Sequence, residues 1–259
     1  MNKQKLLSIG SDAKTVKGEK YNYLTAILYL APAKQSGYNV CPNASIECKK
    51  NCIFFTGRGK FKTTIDARIK KTIYYFEYRD NFMKQLKHEI DLFIKRSKKN
   101  KMIPCIRLNG TSDISWEVYK YQNGLNIFDT FKDCQFYDYS VIYKRMDKFM
   151  NKKMPENYHL TFSRKEDNQK EVLKVLKNGF NCSVVFEKYI PLTYCGYMVI
   201  NGDDSDLRFL DDQNYIDDQK FLLNKGIRLI NNRLPKIIGL KYKKSKGQAI
   251  DKNSFIIKQ

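Results

Sequence analysis

Seven short apolar runs recur along the chain, separated by polar stretches that suit helices, and this alternation restricts the fold more than any single residue does. The runs are Leu24–Leu30, Met102–Leu108, Gln135–Tyr139, Tyr158–Phe162, Cys182–Phe186, Tyr197–Ile200 and Ile237–Leu240. Between the first two, Ile65, Ile69, Ile73 and Phe76, then Phe82, Leu86, Ile90 and Phe93, fall at helical intervals. That spacing predicts one long helix over 64–99, or two with a break near Asp80 and Asn81. KEVLKVLKNG predicts a short helix that stops at Gly179. Strands alternating with helices imply an α/β fold with a mostly parallel sheet, open or curved into a partial (β/α) barrel. With 259 residues and 42% hydrophobic content, the chain can form a single α/β domain over 1–259.

In parallel α/β folds the ligand site is built from the carboxyl ends of the strands. Those ends carry polar residues here: Asn109, Gly110, Ser112 and Asp113 after the second run, Asp138 in the third, Ser163 after the fourth, Glu187 after the fifth. The first run leads into GYNVCPNASIECKKNC, a loop (37–60) holding Cys41, Cys48 and Cys52. Closed zinc sites take four ligands, and the two histidines, His88 and His159, are distant in sequence. Three cysteines around an iron–sulfur cubane instead leave one iron open to a small molecule. Asp113, Asp138 and Glu187 are candidate catalytic groups by their position. Cys105 and Cys182 fall inside predicted strands, where a free cysteine behaves as a small hydrophobe. Cys195 is the best candidate for a fourth ligand if the site is closed.

The formal charge of +21 is large enough to draw the chain to polyanions, which makes nucleic acid a candidate partner. Lysine accounts for 38 of the 48 basic residues, a bias that an AT-rich genome would also produce. No apolar run is long enough to span a membrane, and no secretory signal opens the chain, so a cytoplasmic protein without membrane contact is expected. In that reducing compartment seven cysteines are poor candidates for disulfides. An acidic insertion, about 203–232, interrupts the basic chain; Asp203, Asp204, Asp206 and Asp211 within it are candidate ligands for a divalent ion.

The order of strand, three-cysteine loop, helix, strand and glycine turn resembles the radical S-adenosylmethionine enzymes. That resemblance implies that Cys41, Cys48 and Cys52 hold a [4Fe-4S] cluster whose open iron takes S-adenosylmethionine, with an external electron donor. Gly110 would then let the backbone approach the cofactor's methionine end, with Asn109, Ser112, Asp113 and Ser163 nearby. The spacing departs from the usual pattern: six residues separate Cys41 from Cys48 and three separate Cys48 from Cys52. The stretches LAPAKQSGYNVCPNASIECKKNC, RLNGTSDISWE, FYDYS, NYHLTFS, NGDDSDLRF and IIGLKYK resemble a family of phage and plasmid proteins labelled gene product 88, to which no reaction is assigned. The leading expectation is an iron–sulfur enzyme acting on nucleic acid or nucleotide. The alternatives are a non-enzymatic nucleic-acid-binding protein with structural zinc or a structural cluster, and a nuclease that uses the acidic insertion.

Overall fold

The computed structural model describes residues 4–10, 13–211, 235–243 and 254–259. Its strands are β1 (Leu7–Ile9), β2 (Tyr23–Leu28), β3 (Ile103–Arg107), β4 (Gln135–Ser140), β5 (Tyr158–Ser163), β6 (Cys182–Phe186), β7 (Thr193–Tyr194), β8 (Tyr197–Asn201), β9 (Ile237–Lys241) and β10 (Ile256–Ile257). The helices are α1 (Ala13–Val16), α2 (Ile46–Lys50), α3 (Lys62–Glu77), α4 (Arg79–Lys99), α5 (Ile127–Thr130), α6 (Tyr143–Met150) and α7 (Gln169–Lys177). All seven predicted strands are present. The helix predicted over 64–99 is two, and the break falls at Tyr78 (φ −130°, ψ 51°), just before the predicted Asp80.

One ten-stranded sheet runs in the order β1, β2, β3, β4, β5, β6, β9, β8, β7, with β10 also alongside β6. From β2 to β8 every pairing on this path is parallel, and the antiparallel β1 and β7 close its two edges. The molecule is thus α/β with a mostly parallel, open sheet. None of the described helices is long and apolar enough to cross a membrane.

Strand alternation divides the sheet into two chemically different faces. Leu24, Ala26, Leu28, Ile106, Phe136, Leu160 and Phe162 point to the helix-covered face and share one core with Phe82, Leu86, Ile90 and Phe93 of α4. β2 is buried on both faces from Leu24 to Leu28, which explains its near-continuous apolar reading. The opposite face carries Tyr23, Cys105, Tyr137 and their neighbours, and the segment Leu207–Leu210 packs on it. β1, with three residues, is too short to carry a period; it is anchored at its start, where the amides of Leu6 and Leu7 donate to the Glu89 carboxylate and Lys71 Nζ donates to Leu6 O at 2.9 Å.

Candidate functional site

The loop after β2 carries all three cysteines, and apolar anchors on either side of them set its path. The chain leaves β2 through the fully buried Leu30 and Ala31. It then turns through bonds from Gln35 N to Pro32 O (3.1 Å) and Gly37 N to Lys34 O (3.0 Å). Val40 dips back into the core, and its carbonyl accepts from Asp113 N at 2.8 Å. The first cysteine is thereby tied to the loop after β3. The Cys41 amide donates to Asn39 Oδ1 at 3.0 Å, and its thiol lies 3.9 Å from Thr111 O.

Cys48 is placed by a capped helical turn. Ser45 occupies the N-cap of α2 and its Oγ accepts from Cys48 N at 3.2 Å. Glu166, from the loop after β5, accepts from Ser45 Oγ (2.7 Å) and Glu47 N (3.1 Å), bringing negative charge to the positive end of the turn. At its other end Asn51 accepts from Tyr242 Oη at 3.0 Å, just beyond β9. Cys52 follows, leading into a 3-10 turn (Ile53–Phe55) whose Phe54 is fully buried. Gly59 passes so close to this anchor that a Cβ would lie 2.5 Å from Phe54 O. The loop is therefore pinned to β3, β5 and β9 at once, with the cysteines between the pins.

Burial pushes the thiols of Cys41 and Cys48 up to about 12 and raises that of Cys52 as well. They also act on one another: charge on Cys52 raises Cys41, and charge on Cys52 and Cys41 raises Cys48. Arg68 and Lys14 act in the opposite direction on Cys52. All three are half-buried free thiols. Among the described residues no three Cys, His, Asp or Glu side chains already stand as a metal-ligand set, so a metal would have to draw these thiols inward. The donor chemistry fits a soft metal: burial and mutual repulsion oppose deprotonation of these thiols, and a bound cation would supply the counter-charge that each thiolate needs. Of the other cysteines, Cys105, Cys134 and Cys182 are buried as core residues. Cys195, the fourth-ligand candidate, occupies an exposed hairpin turn with Gly196 (φ 51° and 79°), its sulfur 3.6 Å from Gln169 Nε2.

The residues predicted after β3 and β4 form a buried polar network. Asp138 accepts from Asn109 N (2.7 Å), Asn109 Nδ2 (3.1 Å) and Tyr158 Oη (3.2 Å). Asn109 Oδ1 in turn accepts from Ser112 Oγ, Ile114 N and Trp116 Nε1 at 2.9–3.1 Å. Asp113 accepts from Val141 N and from Arg145 Nη1, both at 3.0 Å. Arg145 also pairs with Glu117 through two 3.0 Å bonds and donates to Tyr158 Oη at 2.8 Å. Burial lifts the Asp138 carboxyl to about 7. Arg145, Glu117 and Tyr158 were invisible as members of this network, because nothing in one sequence pairs a residue in α6 with a loop some 30 positions earlier.

Gly110 has a packing reason for lacking a side chain. A Cβ there would meet Tyr29 Cδ1 at 2.6 Å, Ile27 Cγ2 at 2.7 Å and Leu28 O at 2.8 Å, so the turn after β3 can pass against β2 only as glycine. Ser163 lies on the other face, where its Oγ accepts from Ser183 Oγ at 2.9 Å. Glu187 is half-buried at the end of β6, its amide bonded to Ile257 O at 3.0 Å.

In the described part of the acidic insertion, up to Asp211, three of the four candidate carboxylates face cations and Asp204 faces an amide. Asp206 pairs with Arg107 (3.0 Å) and accepts from Tyr137 Oη (3.1 Å). Asp203 faces Lys243 at 3.2 Å, Asp211 lies 3.4 Å from Arg208, and Asp204 accepts from Asn201 Nδ2 at 2.8 Å. Residues 212–232 of that insertion lie outside the described residues.

The family model described as Gene product 88 matches residues 3–234. No curated protein matches the chain, and no solved structure does.

Proposed function

The chain belongs to the gene product 88 family, and we propose that it is an iron–sulfur enzyme of the radical S-adenosylmethionine type, acting on a nucleic acid or nucleotide. One observation carries this reading: Cys41, Cys48 and Cys52 stand in one pinned loop at the carboxyl end of the first parallel strand, within reach of one another's charge. Three of the remaining cysteines are in the core and the fourth is in a hairpin turn. These three thiols would hold a [4Fe-4S] cluster and leave one iron open. Such a cluster, when bound, supplies an electron from an external donor for reductive cleavage of S-adenosylmethionine, and so a carbon radical that takes hydrogen from a substrate.

The chain's own residues supply position and shielding. Val40 sets Cys41 against the loop after β3, the Glu166 anchor sets Cys48, and Phe54 anchors Cys52. In this reading Asn109, Ser112 and Asp138 hold the glycine turn in shape, which leaves Thr111 O and the turn's backbone facing the first cysteine. The sheet's curvature into a partial (β/α) barrel and a cytoplasmic setting belong to the same proposal. The net charge of +21 supports a polyanionic substrate.

The same thiols would also accept zinc, as in a non-enzymatic nucleic-acid-binding protein. The two readings part in an anaerobic assay of the reduced protein with S-adenosylmethionine. Wild type is expected to bind iron and cleave the cofactor, and Cys48→Ala to lose both. Retention of both activities by the variant would overturn the assignment, whereas one zinc per chain with no cleavage would favour the binding protein.

A further inference from the structure

The sheet face turned away from the helices holds buried polar groups that bond to nothing among the described residues. Tyr139 and Thr161 are register partners in the parallel pair β4–β5, so their side chains lie together on one face. The hydroxyls of both are buried without a hydrogen-bond partner. The segment Ser205–Asp211 crosses this face, with Leu207 buried, the Phe209 ring 5.1 Å from that of Tyr23 and 6.0 Å from that of Tyr137, and the Arg208–Leu210 turn packed against β5. Between them Arg208 is 1% exposed. Its Nη2 donates to Ser205 O, and its Nε lies 3.4 Å from Asp211 Oδ2 without the alignment of a hydrogen bond. Its Nη1 has no partner. The guanidinium and the Tyr139 phenol are close enough for each to act on the other's charge.

Neighbouring cations are already used. Arg107 lies over the Tyr139 ring at 4.6 Å but spends Nη1 on Asp206, with oxygens at 3.0 and 3.3 Å. Asp206 is further satisfied by Tyr137, so it does not reach for Arg208 Nη1. Lys14 acts on the charges of both Asp206 and Cys52. Arg107, Arg208 and Lys14 outnumber the local carboxylates of Asp206 and Asp211. Buried polar groups are normally paired, and those left unpaired at native sites call for an explanation. Two hydroxyls and a guanidinium N–H in a cationic setting suit the oxygens of a tetrahedral anion.

We propose that Tyr139, Thr161 and Arg208 form a binding site for a phosphate group. The site stands on the geometry of this face and does not depend on the metal bound by the cysteines. Metal content reads the loop and phosphate affinity reads the face, so the two proposals fail separately.

The test is calorimetric titration of the full chain with inorganic phosphate, adenosine monophosphate and acetate, alongside thermal melting without ligand. Phosphate is expected to bind wild type and to bind Thr161→Val and Tyr139→Phe about tenfold more weakly, each having lost one hydrogen bond to a charged group. Tighter binding of the nucleotide than of free phosphate would make a nucleotide the carrier, and equal binding would make it the free anion; either supports the site. In phosphate-free buffer Thr161→Val should melt at or above the wild-type temperature, because valine removes an unpaired buried hydroxyl without changing its shape. A variant that melts markedly lower would show the hydroxyl to be structural and overturn the proposal. So would absence of phosphate binding, equal affinity in wild type and variants, acetate binding as tightly as phosphate, or a crystal structure with water alone on the three donors.

Discussion

Two regions at the same end of the sheet handle buried polarity in opposite ways. Behind β3 and β4, the carboxylates of Asp113 and Asp138, the Asn109 amide and the Arg145 guanidinium are enclosed and interlocked, each bonded to several partners. In the cysteine loop the backbone is pinned at Val40, Ser45, Asn51 and Phe54, while the three thiols between the pins repel one another as their charge develops. A network whose members bond to one another is held rigid by those bonds. A loop whose backbone is pinned on both sides of three thiols, the sulfurs touched among the described residues only by backbone groups such as Thr111 O, is the candidate site. Of the carboxylates proposed as catalytic by position, Asp113 and Asp138 are members of the network and Glu187 sits at the end of β6.

This contrast can be broken by substitution, because the network should lose stability and the loop should lose only metal. Arg145→Ala should cost the most, about 3–5 kcal/mol, since it strands Asp113 and Glu117 in the interior. Urea denaturation measures this directly, and a loss below about 1 kcal/mol would show the network to be dispensable. Gly110→Ala should follow at about 1–3 kcal/mol, because the added methyl collides with backbone and side chain of β2.

Asp138 makes a smaller, pH-dependent contribution. Its folded carboxyl titrates at about 7, above the ordinary value near ~3.9, so between these limits the folded protein keeps a proton that the unfolded chain has lost. Its stabilisation is complete below the lower value and fades as pH rises through the upper one. The stability of wild type relative to Asp138→Asn should therefore fall across that window, and a flat difference would contradict the burial cause. Cys48→Ala should do least to the metal-free fold, under about 1 kcal/mol, while abolishing metal binding. A large loss of metal-free stability would place Cys48 with the network.

The sheet was legible because seven of its strands are five or six residues long and buried enough to leave an apolar run. β7 and β10, with two residues each, are too short to carry a period, and β10 pairs with β6 across a sequence separation of 71 residues (Ile256 with Val185). The break at Tyr78 came within two residues of its expected place. At the site, spacing exposed the cysteines, and the strand-end rule exposed Asn109, Gly110, Ser112 and Asp113. Their partners stayed hidden, since hydrogen bonding from Arg145, Tyr158 and Trp116 depends on how α6, β5 and the turn after β3 meet. Glu166 had no signal beyond its nearness to a strand end, yet it anchors the turn that carries Cys48. The unpaired Thr161 and Arg208 were equally unreadable, because a missing partner is visible only in three dimensions.

The central claim is an open-site cluster in the cysteine loop, and metal and sulfide analysis of anaerobically purified protein, with EPR spectra before and after S-adenosylmethionine, tests it most directly. The account predicts about four irons and as many sulfides per chain, with a reduced signal that the cofactor shifts. Zinc in place of iron, or a cluster signal indifferent to the cofactor, would contradict it.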